Sequence, residues 1–168
     1  MKTRILTIGT ASVSTLIRCD GIPRPGCTVT ADRYSIRPGG RGVISSVAIS
    51  KLGGDSIVCS AVGEDSYAVM LEDFLGSFCV DRRFYMKKSG YHTGYSTIID
   101  TGRDAIIDIP GANLRLSDDD IGEAFTCLPD AALIRCGGAS VGSIVFAVSE
   151  AERRGVPVVL DLCGVSPD

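Results

Sequence analysis

The segment Gly39-Gly40-Arg41-Gly42 stands directly before a run whose apolar residues, Val43, Ile44, Val47, Ala48 and Leu52, recur at helical spacing. Glycine has no Cβ, so the backbone there can turn sharply and come close to a ligand. Free N–H groups at a helix start also bind anions or hydroxyl oxygens. The other reading is that these glycines only let a helix and a strand pack tightly, and the residues alone leave both open. No GxxxxGK[ST] run is present, so this is not a P-loop. The GxGxxG spacing of a dinucleotide fingerprint is missing too, as is the acidic residue some way downstream, which disfavours a nucleotide-dependent oxidoreductase.

Other residues with chemical potential read as structural. Asp65, in Val62-Gly63-Glu64-Asp65, stands at a strand-to-helix junction and is expected to cap the helix. Asp161 ends the apolar run VPVVLDL, where open α/β sheets bind ligands, but no partner carboxylate or metal motif accompanies it. His92 is the single histidine and has no Ser, Cys or Asp constellation around it. Asp118 to Asp120 fit the first turn of a helix capped by Ser117. Arg82-Arg83 and Lys87-Lys88 are too few for a binding patch.

The elements that position these residues follow from periodicity. Continuous apolar runs at Arg4–Ile8, Ile57–Val62, Ala131–Cys136 and Val156–Leu162 read as buried strands. Helices are expected after Gly42, over 66–76, after Ser117 and over 140–154. Two further regions, 13–20 with 28–36 and 94–100 with 104–109, are rich in Val, Thr, Ile and Tyr but half polar. The first pair is joined by Gly21-Ile22-Pro23-Arg24-Pro25-Gly26, the second by the turn Asp100-Thr101-Gly102-Arg103. Alternating β and α with continuous apolar strands predicts a doubly wound α/β fold around a mostly parallel sheet. The half-polar pieces are expected to stand off it as a separate flap.

Composition narrows the classes. Of 168 residues, 45% are hydrophobic and 22% charged, which suits one globular domain. The net charge of -3 is scattered, without the basic stripe of a nucleic-acid surface. No run approaches a membrane span or a signal peptide. The 7 cysteines are odd in number, several lie in apolar runs, and no zinc-ligand spacing occurs. Buried, reduced thiols in a cytoplasmic protein are expected.

Taken in order, these motifs resemble the ribokinase-like (PfkB-type) carbohydrate kinase family. The resemblance runs through Gly9-Thr10, Pro25-Gly26-Cys27-Thr28-Val29, Gly39-Gly40-Arg41-Gly42, Leu52-Gly53-Gly54, Val62-Gly63-Glu64-Asp65, Thr93-Gly94, Gly111-Ala112-Asn113 and Val158-Val159-Leu160-Asp161. It implies a β-strand lid, here segments 13–36 and 94–109, over a sugar site. It also implies ATP as phosphoryl donor, with Mg²⁺ and a catalytic Asp in a GAGD-like run. No such run occurs, so no catalytic residue is assigned. The chain is expected to be the N-terminal, sugar-side part of such a kinase and inactive alone, or else a non-catalytic kinase-like binding or oligomerisation module. The resemblance further implies a homodimer through the lid, or a C-terminal partner.

Carried over position by position, the substrate-binding residues are Ser12 and Ser14, Gly39 and Gly40, Arg41 and Gly42, and the inward lid positions Ser96 and Ile98. The family's Asn and Asp after the first strand are the two serines here, an Asn near the helix start is Ile44, and an acidic residue falls at about Gly138. The glycine frame is kept and most hydroxyl-binding groups are not. A buried polar site discriminates strongly by such groups, so the resemblance points away from ribose, to a different, less polar substrate or to a decayed site.

Overall fold

The computed structural model describes residues 2–135 and 140–162. Cys136, Gly138 and Cys163 lie outside them.

Among the described residues nine strands and four α-helices follow in the order β1 (Arg4–Ile8), β2 (Ser12–Cys19), β3 (Ala31–Gly39), α1 (Arg41–Lys51), β4 (Asp55–Val62), α2 (Ser66–Ser77), β5 (Asp81–Lys87), β6 (Gly94–Asp100), β7 (Asp104–Ile109), α3 (Asp118–Ala124), β8 (Ala131–Arg135), α4 (Val141–Arg153) and β9 (Val158–Asp161). Five strands form an all-parallel sheet in the order β5-β4-β1-β8-β9. Alternate residues of β4 face opposite ways. Ile57, Cys59 and Ala61 pack with Phe125, Ile121 and Ala147 of the α3 and α4 layer. Val58 and Val62 pack with Val43, Val47, Leu71 and Leu75 of α1 and α2. The centre of the sheet is therefore covered on both faces, as its unbroken apolar strands require. The last strand, expected to be buried, is not: Val159 and Leu160 are exposed because β9 lies at the sheet edge among the described residues.

The half-polar segments make a sheet of their own, ordered β3-β2-β6-β7. β2 pairs antiparallel with β3 and parallel with β6, and β6 and β7 form the hairpin. The strand expected at 28–36 is displaced: β3 begins at Ala31 and runs on through Pro38 to Gly39. Proline fits there because β3 is an edge strand and needs no ladder N–H on its outer side.

Sequence reading missed β5, the other edge of the parallel sheet. Its opening Asp81-Arg82-Arg83 is polar and only Phe84 and Tyr85 are buried, so it lacks an apolar run. Charge on an edge strand is ordinary protection against unwanted pairing. Two of the five described cysteines, Cys27 and Cys79, are exposed, contrary to the expectation of uniformly buried thiols, while Cys19, Cys59 and Cys127 are buried. No helix among the described residues is long and apolar enough to cross a membrane.

Candidate functional site

β1 brings the chain to the carboxyl edge of the parallel sheet, and Gly9 to Ala11 turn it into β2. The start of α1 is pressed onto that turn. The N–H of Arg41 donates to Thr10 Oγ1 at 3.1 Å. The N–H groups of Gly42 and Val43 donate to the Thr10 carbonyl at 2.9 and 3.3 Å. These first donors of the helix thus have protein partners, and of the two readings of the glycine segment the structure supports close packing. At Gly40, φ is +89° and a Cβ would lie 2.5 Å from the Thr10 carbonyl oxygen and 2.7 Å from the Ser12 nitrogen. No other residue type fits there.

Asn113, buried after β7, locks the same turn from the other side. Its Nδ2 donates to the carbonyls of Ala11 at 2.9 Å and Pro110 at 2.8 Å, and its Oδ1 accepts from the Ala11 N–H at 2.8 Å. Gly94 leaves the space for it, since a Cβ there would collide with Nδ2. Asp65 ties the second sheet to α2. It accepts from the Ala68 N–H at 2.9 Å as an N-cap, and from the Thr93 N–H and hydroxyl at 2.7 and 2.6 Å. Partial burial pushes its carboxyl upward, but the Thr93 and Ala68 donors outweigh that and hold it below the usual carboxylate value.

Between the two sheets opens a cleft of about 500 Å³. Its floor is the α1 start with Thr10, Ser45 and Arg135, and its wall is one face of the second sheet. Strand register arranges that face in rows. Arg37, Ser14, Ser96 and Asp108 form one row, Ser35, Leu16, Ile98 and Ile106 the next, and Arg33, Arg18, Asp100 and Asp104 the third. Ser14 and Ser96 share a hydrogen bond at 2.8 Å between their hydroxyls. On the floor, Asp161 pairs with Arg135 at 2.8 Å and with Arg41 at 3.7 Å. The Nε of Arg135 is buried with no hydrogen-bond partner among the described residues.

Of the residues singled out from sequence, Ser12, Ser14, Gly40, Arg41, Ser96 and Ile98 line this cleft, as does Ile44. Gly39 and Gly42 do not. Gly39 is buried beneath Ser14, and Gly42 rests on Gly9. His92 is an exposed loop residue whose carbonyl accepts from the Ala112 N–H. Sequence reading missed Thr10, Ser45, Asp108 and Arg135. Two of these had a signal. Arg135 closes an apolar strand at the sheet's carboxyl edge, where ligands bind. Asp108 lies two residues from Ile106 and therefore on the same face of β7.

Sheet and cleft together define a doubly wound α/β protein with a second sheet standing over a polar cleft. The family model described as pfkB family carbohydrate kinase matches residues 2–163, and the chain belongs to that family. It is 25% identical to a ribokinase of Arabidopsis thaliana over 96% of this chain and 44% of that protein. A Bacillus subtilis ribokinase is 31% identical over 72% of this chain and 40% of its own length. The structure of Arabidopsis thaliana ribokinase complexed with ribose and ATP superposes with a TM-score of 0.85 at 23% identity, covering 98% of this chain and 55% of that one. The chain spans about half the length of the curated relatives it matches.

Proposed function

We propose that this chain is the sugar-binding side of an ATP-dependent phosphotransferase. The observation that carries the reading is the cleft, which sets serine hydroxyls, a carboxylate and guanidinium groups around about 500 Å³ at the carboxyl edge of the sheet. In it Ser12, Ser14, Ser96 and Asp108 exchange hydrogen bonds with sugar hydroxyls. Arg41 orients the substrate from the floor, Gly40 allows the floor its shape, and Ile44, Ile98 and Ile106 take the apolar face of the ring.

ATP serves the whole protein as donor of the phosphoryl group. Among the described residues no group of three or more His, Cys, Asp or Glu could hold a metal ion. Mg²⁺ in nucleotide sites is commonly held by one or two carboxylates together with the phosphates, so it belongs with ATP in the whole protein, and no step is routed through it here. The sequence also lacks the GAGD-like run that provides the base in the family. We accordingly assign sugar binding, not turnover, to these residues. The same reading extends to association. β9 is an edge strand, and beside it Val141, Val145, Val148, Leu160 and Leu162 line an apolar groove of about 320 Å³. A C-terminal partner covers that flank, or a second copy pairs through the flap.

Calorimetry with a panel of pentoses and hexoses tests the reading, paired with coupled detection of ADP release. Saturable sugar binding that Arg41→Gln weakens, without ADP release, is the expected result. A chain that binds no sugar overturns the site, and ADP release above a buffer blank overturns the division of roles.

A further inference from the structure

The wall of the cleft continues past Ser14 and Ser96 into a second hollow of about 210 Å³, lined by Arg18, Arg33, Ser35, Arg37 and Asp100 among others. The two hollows share one face of one sheet. Ser14 lines the first, while Leu16 and Arg18, the next residues of β2 on that face, line the second. Two residues of strand advance about 6.8 Å, so Arg37 stands in the serines' own row while Arg18 and Arg33, four residues further along their strands, stand about 13.6 Å from it.

Charge on this face is sorted by strand. β3 and β2 contribute Arg37, Arg33 and Arg18, and β6 and β7 contribute Asp108, Asp100 and Asp104. Arg18 reaches Asp100 at 4.0 Å. Arg33 and Arg37 form no ion pair with any described residue. Arg37 stands directly across from Ser14 in the strand register. A neutral sugar uses the serines and Asp108 and leaves these guanidinium groups without work. Guanidinium groups are the side chains best matched to phosphate and carboxylate oxygens, which they grip two at a time.

Resting on the sugar-site reading, we propose that the substrate is an anionic sugar. Its hydroxyls lie against Ser14, Ser96 and Asp108, and a phosphate or carboxylate remote from the reacting hydroxyl lies among Arg37, Arg33 and Arg18. The arginine end thus sets specificity, and the serine end holds the ring common to charged and neutral sugars.

Calorimetry on the full chain at low salt compares ribose with ribose 5-phosphate, fructose with fructose 6-phosphate, and glucose with glucuronate. The phosphate arms and the carboxylate arm tell the two anion sources apart. At least one anionic member is expected to bind roughly tenfold more tightly than its neutral parent. That preference falls as salt rises, because exposed charges are screened. Arg37→Gln and Arg33→Gln are expected to remove most of the preference while neutral-sugar affinity stays within about twofold and the melt is unchanged. Both side chains are exposed, so the variants fold. Neutral sugars binding as tightly as every anionic partner would overturn this inference and leave the sugar site standing. An unchanged preference in both variants, or a change only in self-association, also overturns it by giving the arginines another task. If no sugar of either kind binds, both readings fall together.

Discussion

The two sheets of this molecule solve opposite problems. In the parallel sheet, Leu6, Ile57 and Ile134 are buried to within 1% of completely, and helices cover both faces. In the second sheet only the middle of one face is covered, by Tyr67 stacking on Tyr95 and by the contacts around Val13. The other face is the cleft wall, with hydroxyls, carboxylates and guanidiniums in register. Rigidity is concentrated in the first sheet and chemical variety in the second. The joint between them, Gly9 to Ser12 with Gly40 and Asn113, determines how accurately one is presented to the other.

Stability is the largest contrast to test. Leu6→Ala should cost about 2–5 kcal/mol, the range for truncating a fully buried aliphatic. Ile106→Ser in the flap should stay within about 0.5 kcal/mol, since its side chain is mostly solvated. Urea denaturation with an unchanged slope measures both. Equal losses would mean that the flap is as much a part of the core as the parallel sheet.

The joint comes next. Asn113→Ala strands the buried N–H and carbonyl of Ala11 together, each worth about 1–3 kcal/mol when left unpaired. It should also weaken sugar binding more than its stability cost explains, because Ser12 and Arg41 rest on that turn. A melt lowered with sugar affinity intact would assign Asn113 to folding alone.

Acid separates the two regions less strongly. Asp65, holding the flap to α2, titrates below its ordinary value of 3.8. Its contribution is complete above that value and is lost as pH falls below it. Glu150 on α4 is held at about 2, against an ordinary 4.5, by hydrogen bonds from Arg153 and Arg154. Its contribution is likewise full above about 4.5 and disappears between there and about 2. Asp65→Ala removes a cap worth about 1 kcal/mol at neutral pH. Urea midpoints followed from neutral pH downward should flatten in Asp65→Ala and in Glu150→Gln. A steeper acid limb in either would reverse the assigned direction.

How far the sequence reached differs by region for physical reasons. Strands β1 and β4 were legible because burial on both faces writes itself as unbroken apolar runs, whereas β8 and β9 carry such runs with less burial, Val159 and Leu160 of β9 being exposed. The flap was legible as something apart because half-polar alternation cannot serve such a sheet. β5 was invisible because an edge strand with one buried face and a charged start carries neither signature. In the site, Ser14 and Ser96 were found through the resemblance alone, and the strand register then placed them side by side. Asp108 and Arg135 carried only partial signals, strand alternation and a place at the sheet's carboxyl edge, because the pairing of distant strands that brings them into the cleft is not written locally. The N–H groups of the glycine segment were undecidable for the same reason, since their partner, Thr10, lies 31 residues from Arg41.

The smallest expected effect concerns the back of the flap. Opposite the cleft wall, Ile36, Thr15, Thr97 and Ile107 form a row across all four strands. The centre of that row is covered, with Thr15 buried and accepting from the Tyr95 hydroxyl at 2.7 Å. Its ends are not: Ile36 is 44% exposed and Ile107 60%, and Tyr34 in the next row is 72% exposed. In an isolated chain such side chains gain little by folding, so Ile36→Ser and Ile107→Ser should each change stability by no more than about 0.5 kcal/mol. In a pair of chains joined at the flap, the same isoleucines would be buried, at about 25 cal/mol for each Å² of apolar area removed from water. The two cases separate by concentration. Melting followed over a hundredfold dilution should show no dependence on concentration in either variant if the flap stands alone. A parent whose melting point falls on dilution, with serine variants that melt low at every concentration, would instead make the back of the flap an interface and extend the rigid region of the comparison across two chains.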